Sequence, residues 1–314
     1  MNLRLVVPEE LSTAALRALE DESVSSVQVL RGASLRPAGD VIEANVSREG
    51  CDTVVQALSA LGIASVGSLT IEPVGIWMSA AGDRADSRTP GASADAVVWP
   101  AVEQQALDDS ELNFTYVSFM VLAMLIAGIA IELDSAILVI GAMVLGPEFG
   151  AIVAIALAVV RRRANLFRRG LVTLLAGFAI AMVATSLATF VGVGLGWVNQ
   201  GDLARPRVAT SFIYLPDHWS IVVSIIAGAA GVLALTSART GGLSGVFISV
   251  TTVPAAANLA MAVALGQWSE VSGSAVQLAV NLIGMIIAGI VTLLIQEQVW
   301  NRVRRQRSAL RASR

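Results

Sequence analysis

The sequence contains no lysine, one cysteine (Cys51) and one histidine (His218), and of its 314 residues only 14% are charged and 5% aromatic. Ordinary globular chains are about a quarter charged, and here 55% of the residues are hydrophobic. A single soluble domain could not hide so much apolar sequence, and a disordered chain would not contain it. The scarcity of charge therefore points to a membrane protein. One cysteine excludes an internal disulfide and a thiolate metal cluster. There is no His-rich metal motif, no Ser/His/Asp set and no phosphate-cradling glycine loop, so no catalytic residue, metal or cofactor is expected. Net charge of -3 excludes an overall basic nucleic-acid binder. All 21 basic residues are Arg, which reads as the compositional bias of a GC-rich bacterial genome.

The few charges are unevenly spread. Residues 1–112 carry a net charge of -10 and residues 113–314 a net charge of +7. An acidic soluble part thus precedes a cationic membrane part. The first apolar stretch, Leu3–Val7, is strand-like and lacks the basic and apolar regions of a signal peptide, so the N-terminal part is expected to stay where it is made. Residues 1–75 read as β-α-β-β-α-β, with strands near 3–7, 24–30, 40–46 and 66–71, helices after Pro8 and over 52–61, and a turn at 31–39. That order predicts a small α+β ferredoxin-like domain. Such a domain accommodates a small-molecule regulator or serves as a docking module, and the sequence leaves both open. Residues 76–111 are expected to be a linker, flexible over 78–97, followed by an amphipathic coupling helix at 99–111 with Pro100 in its first turn.

Six apolar segments follow within 112–300, at about 113–131, 135–160, 170–198, 219–237, 242–266 and 271–299, each long enough to cross ~30 Å of hydrocarbon. The tail, 301–314, is basic. Arg161, Arg162, Arg163, Arg168 and Arg169 follow the second segment, Arg239 the fourth and Arg302, Arg304, Arg305, Arg307 and Arg311 the sixth, all on one side. The positive-inside rule makes that side cytoplasmic, with both termini inside a bacterial inner membrane. Trp197, Trp219 and Trp268 mark the opposite interface. The run Arg161–Arg169 is assigned to the lipid interface, and His218 beside Trp219 is a bystander.

Two prolines interrupt the spans. Pro147 lies in Gly141-Ala-Met-Val-Leu-Gly-Pro-Glu-Phe-Gly150, and Pro254 in Ile248-Ser-Val-Thr-Thr-Val-Pro-Ala-Ala-Ala-Asn258. At their common offset the span boundaries of segments one to three coincide with those of four to six, which begin on the other side. The pattern predicts a 3+3 inverted repeat with broken helices and a site near the bilayer midplane. Proline removes a backbone donor and clashes with the preceding turn, and the amide groups of a new half-helix favour an anion. Glu148 is the only ionisable residue deep in a span, where charge costs at least ~2.5–3.5 kcal/mol; it favours a proton or cation, or caps its own half-helix. Candidate substrate- or ion-binding residues are Gly146, Pro147, Glu148, Gly150, Thr251, Thr252, Pro254, Asn258 and Asn281, with Gln277 as a further polar lining residue.

The stretch Ile140–Gly150 resembles the second span of the bacterial and archaeal domain-of-unknown-function 389 family, whose members carry a similar Gly-Ala-Met…Pro…Gly motif. The resemblance covers about residues 110–260 and implies a fold and a motif, with no substrate. The expected function is a transporter or channel for an ion or small polar solute. The alternative is a membrane-anchored sensor or scaffold without transport. The expected partners are the bilayer, the solute, a regulator of the N-terminal domain and further copies of the chain in a homo-oligomer.

Overall fold

The computed structural model describes residues 1–75, 78–89, 96–199, 201, 203, 205, 207–236 and 251–312, the last ten as backbone only. The chain divides into two compact units, one built on Met1–Val102 with the C-terminal end from Gln298, the other on Glu103 to Glu297.

The first unit holds a four-stranded antiparallel sheet in the order β2-β3-β1-β4, formed by β1 (Asn2–Val7), β2 (Val24–Leu35), β3 (Ala38–Val46) and β4 (Ser68–Glu72). Helices α1 (Glu9–Ala18) and α2 (Arg48–Ala60), with the short α3 (Ile63–Val66), complete the expected element order. Leu3, Leu5 and Val7 alternate into the core beside Ile42, Ala44, Val46, Val54 and Leu58, all essentially buried. The period of two on β1 and β3 sets this register, since a one-residue slip would expose the whole set.

Two local expectations are corrected. The turn expected at 31–39 narrows to Arg36–Pro37, because β2 continues through an irregularity between Leu30 and Ser34, after which the strands pair again to Leu35 and Ala38. Asp40 causes it: Arg31 Nη1 and the Gly32 amide donate to its carboxylate at 2.6 and 2.8 Å, joined by the Ser12 hydroxyl. Gly32 supplies the left-handed φ of 62° that this bend requires. The 78–97 linker contains a helix, α4 (Ala80–Arg88), whose first turn is capped by Ser79 accepting from the Gly82 amide at 3.2 Å. Buried Gly82 and Ala85 let it pack on β2 and β3. Residues 90–95 of that linker lie outside the described residues.

The second unit is helical. After α5 (Trp99–Asp109) come α6 (Phe114–Glu132), α7 (Ala136–Leu145), α8 (Glu148–Val160), α9 (Ala164–Gly194), α10 (His218–Thr236), α11 (Thr252–Leu265) and α12 (Trp268–Ala312). Four of them, α6, α9, α10 and α12, are long and apolar enough to cross a membrane, and α7 with α8, bent by 55° at their break, make a fifth when counted as one span. Helix α11 has 14 residues and would cover about 21 Å. Residues 242–250, expected to open the fifth segment and form one side of its break, lie outside the described residues. The basic tail expected from 301 continues α12 to Ala312 without interruption. Helix α11 packs against α6 and α9, and α8 against α9.

One end of this unit carries the Arg161–Arg163 turn. There Arg161 and Arg163 donate to Glu103 of α5 at 3.0 and 3.3 Å, and Arg161 lies 3.7 Å from Glu297 of α12. The opposite end carries Asp134, the start of α12 and the exposed indoles of Trp197, Trp219 and Trp268. There Asp134 accepts from the Ala209 amide and the Thr210 hydroxyl at 3.2 and 2.8 Å. The Thr210 bond, with further amide donors, holds the Asp134 carboxyl below the usual carboxylate range.

Candidate functional site

Gly146 and Pro147 separate α7 from α8. Helix α7 ends at Leu145, and α8 begins at Glu148 with Pro147 as its N-cap. Proline there cannot continue the ladder of α7, while its fixed φ suits the start of a new helix. Helix α11 begins at Thr252 with Thr251 as its N-cap, so Pro254 falls in its first turn, where a missing amide proton is tolerated. Neither N-cap side chain caps its helix, whereas Asn113 and Ser135 cap α6 and α7.

The two half-helix starts meet. Thr252 Oγ1 donates to Glu148 Oε1 at 2.7 Å, and both residues are buried, at 0% and 1% exposure. A Cβ on Gly146 would run into the Glu148 carboxylate and lie 2.8 Å from Val253 Cγ2. Only glycine leaves room for the carboxylate to fold over the break. Phe149 lies where a Cβ on Gly231 of α10 would be.

Helix α12 completes the cluster. Its buried stripe runs Ser274, Gln277, Asn281, Met285 and Ala288, the i, i+3, i+4 spacing of one helical face. The first three are polar, and the large apolar residues Val276, Ile283 and Ile287 face outward. Asn281 Nδ2 and Gln277 Nε2 donate to Thr251 Oγ1 at 2.7 and 3.2 Å. Helices α8 and α11, of 13 and 14 residues, run about 20 Å from the junction in each direction. A Cβ on Gly150 would meet Asp109 of α5, and one on Gly170, next to Arg169, would meet Ala151.

The structure thus brings Gly146, Pro147, Glu148, Thr251, Thr252, Pro254, Gln277 and Asn281 together. Gly150 turns instead to Asp109, where its missing Cβ admits the end of α5. Asn258, about 9 Å further along α11, belongs to a second cluster. Its side-chain amide donates to Glu270 and Ser274 at 3.0 and 2.8 Å and accepts from Arg207 Nη1 at 3.0 Å. Arg207 Nη2 also pairs with Glu270, and the guanidinium stacks 4.5 Å above the Tyr214 ring. Arg207 is 5% exposed. Of the residues assigned to the lipid interface, Arg161 and Arg163 are engaged by Glu103. Arg168 and Arg169 line a surface groove of about 420 Å³ with Glu111, Leu112 and Val172.

Two participants have no obvious mark in the sequence. Tyr116, in the first turn of α6, is 5% exposed, close enough for the Glu148 charge to act on it, and its hydroxyl has no hydrogen-bond partner among the described residues. Its ring fills the space left by Gly177 of α9. Arg207 had one usable signal: a basic residue in a loop on the side where the positive-inside rule expects few.

Residues 143–287 match the family model described as a domain of unknown function, DUF389. The matched stretch runs from the residue before Val144, through the Pro147 break and α11, into α12, so it contains the whole junction. An uncharacterized protein of Methanocaldococcus jannaschii is 23% identical over 186 residues, 59% of this chain and 55% of that protein. The chain therefore spans little more than half the length of that relative. No solved structure matches.

Proposed function

We propose that the helical unit is a membrane transporter or channel for an ion or small polar solute, whose site is the junction of the broken span and α11. The observation that carries this is the Thr252–Glu148 hydrogen bond, made between two helices that both begin inside the apolar unit. Backbone broken at membrane depth persists only where protein or a polar cavity satisfies it, and an ionisable side chain at such a break is a functional residue by default. The matching positions of Pro147 and Pro254 support an inverted repeat, with α8 and α11 as the equivalent half-helices running from the junction toward opposite ends. The Arg161–Glu103 pair supports placing α5 and the Arg-rich turn on one face of the membrane, which the positive-inside rule makes cytoplasmic. The N-terminal unit would regulate passage by binding a small ligand.

The test is flux through the full chain reconstituted in liposomes, over a panel of inorganic ions and small metabolites. Passage of at least one solute is expected, with a loss of tenfold or more in Gly146→Val, whose side chain would occupy the carboxylate's place. Vesicles that remain tight to the whole panel would sink the proposal.

A further inference from the structure

The junction contains cues that call for opposite charges. Helices α8 and α11, of 13 and 14 residues, both present their N-termini to it, and each end carries roughly half a positive charge. Neither is capped by its N-cap side chain. The Glu148 carboxylate stands between them, bonded to Thr252 and folded over Gly146. Two half-charges of one sign and one full charge of the other leave the buried junction close to neutral. A second group within reach of the Glu148 charge has its polar atom unused: the Tyr116 hydroxyl, packed beside Gly177, is nine-tenths buried and without a partner among the described residues. A hydroxyl on that side is a donor awaiting an acceptor. On α12 the Gln277 Oε1 atom is likewise buried and unpartnered among the described residues, an acceptor suited to a protonated carboxyl.

We infer that the Glu148 carboxylate is a tethered occupant of an anion site, displaced when it takes up a proton, so that a small monovalent anion and a proton enter the junction together. This rests on the transport reading of the same site. An anion entering against ionised Glu148 would leave a buried negative charge, and a cation joining Glu148 would leave a positive one against both helix ends. Either imbalance in an interior of low dielectric is costly. Proton and anion together restore the neutral sum. The proton comes from bulk water and resides on a Glu148 oxygen; the anion takes the carboxylate's place at the two helix starts and the Tyr116 hydroxyl. The titratable groups nearest are Tyr116 from α6, on which the Glu148 charge acts, and Asp109 from the end of α5, which packs on Gly150 two residues along α8. Helices α7, α9, α10, α11 and α12 contribute neutral side chains there among the described residues. Burial, and then the neighbouring charge of Asp108, raise the Asp109 carboxyl above its ordinary value.

The experiment is thermal unfolding of the full chain in detergent, in potassium nitrate against potassium gluconate, at pH 5 and pH 8. Nitrate should raise the unfolding temperature of the wild type by several degrees at pH 5 and not at pH 8. In Glu148→Gln, which mimics the protonated side chain, nitrate should stabilise at both pH values. Tyr116→Phe should weaken the nitrate response about tenfold in concentration. Should the variants fail to fold, the wild-type comparison alone decides. No nitrate effect at either pH, a nitrate effect independent of pH, or a response that follows exchange of potassium for choline would each overturn the inference. The nitrate pattern without any flux would remove the transport reading and leave this one standing. Cation flux indifferent to nitrate would do the reverse.

Discussion

Glu270 and Glu148 are both buried carboxylates of the helical unit, at 8% and 1% exposure, yet their surroundings have little in common. Glu270 meets a guanidinium and a side-chain amide, and Arg207 is in turn held by Asn258 and stacked on Tyr214. Glu148 meets a hydroxyl and two helix starts. Burying a charge is tolerable only when the compensation is fixed in place, and the first cluster fixes it with full opposite charge and several bonds. The second balances its carboxylate with backbone dipoles, which persist whether the side chain is charged or neutral. The fold thus locks a loop to α11 and α12 in one cluster and sets a carboxylate against two helix starts in the other.

This contrast orders the expected effects of mutation. Arg207→Ala should be the most damaging, because it leaves Glu270 buried with its main partner removed; a loss of about 3–5 kcal/mol is expected, read from thermal unfolding in detergent. The double variant Arg207→Met with Glu270→Leu should recover much of that loss, and if it does not, the pair is more than a clamp. Gly146→Val should cost about 1–3 kcal/mol by overpacking, seen as a lower unfolding temperature in gluconate. Glu148→Gln keeps shape and can still accept from Thr252, so about 1 kcal/mol or less is expected. A loss as large as that of Arg207→Ala would erase the distinction between the two clusters. The Arg161–Glu103 pair, partly exposed, serves as the control: Glu103→Gln should change stability by about 0.2–1 kcal/mol.

Asp40 extends the contrast to the sheet of the N-terminal unit. Its carboxyl lies below the usual value, chiefly through the Ser12 hydroxyl and then the Gly32 amide. A depressed folded value contributes stability above the unfolded value of about 3.9, and that contribution is lost as pH falls through the folded value. Hydrogen exchange of the β3 amides should therefore accelerate as the full chain is taken below about pH 4, and Asp40→Asn should show that acceleration already at neutral pH.

The legible parts of this molecule are those governed by period and punctuation. Alternation at Leu3, Leu5 and Val7 set β1, and Pro147 beside Gly146 marked a break that the structure shows as a 55° bend. What escaped was governed by contacts distant in sequence. Asp40 reshapes β2 through bonds to Arg31 and Gly32, so a stretch rich in Gly and Pro looked like a turn. Tyr116 is one aromatic residue in the first turn of an apolar helix, and only the facing Gly177 and Glu148 give it meaning. Asn258 was recognised as polar lining, but its partners, Arg207 and Glu270, lie 51 and 12 residues away.

From Ala151 to Ala158 every residue of α8 is buried, and so is every residue of α11 from Thr252 to Asn258. Neither half-helix presents that stretch to lipid. Their apolar residues are matched to protein surfaces, chiefly those of α9 for α8 and of α6 and α9 for α11. During synthesis α8 emerges before α9, so its final partner does not yet exist when it leaves the ribosome. Biogenesis must then proceed in two stages, with α8 waiting until α9 has been threaded through the bilayer. With Cys51→Ser and a reporter thiol introduced by Ala154→Cys, a nascent chain truncated at Arg163 should accordingly react with water-soluble cysteine reagents, and one extended past Gly194 should be protected.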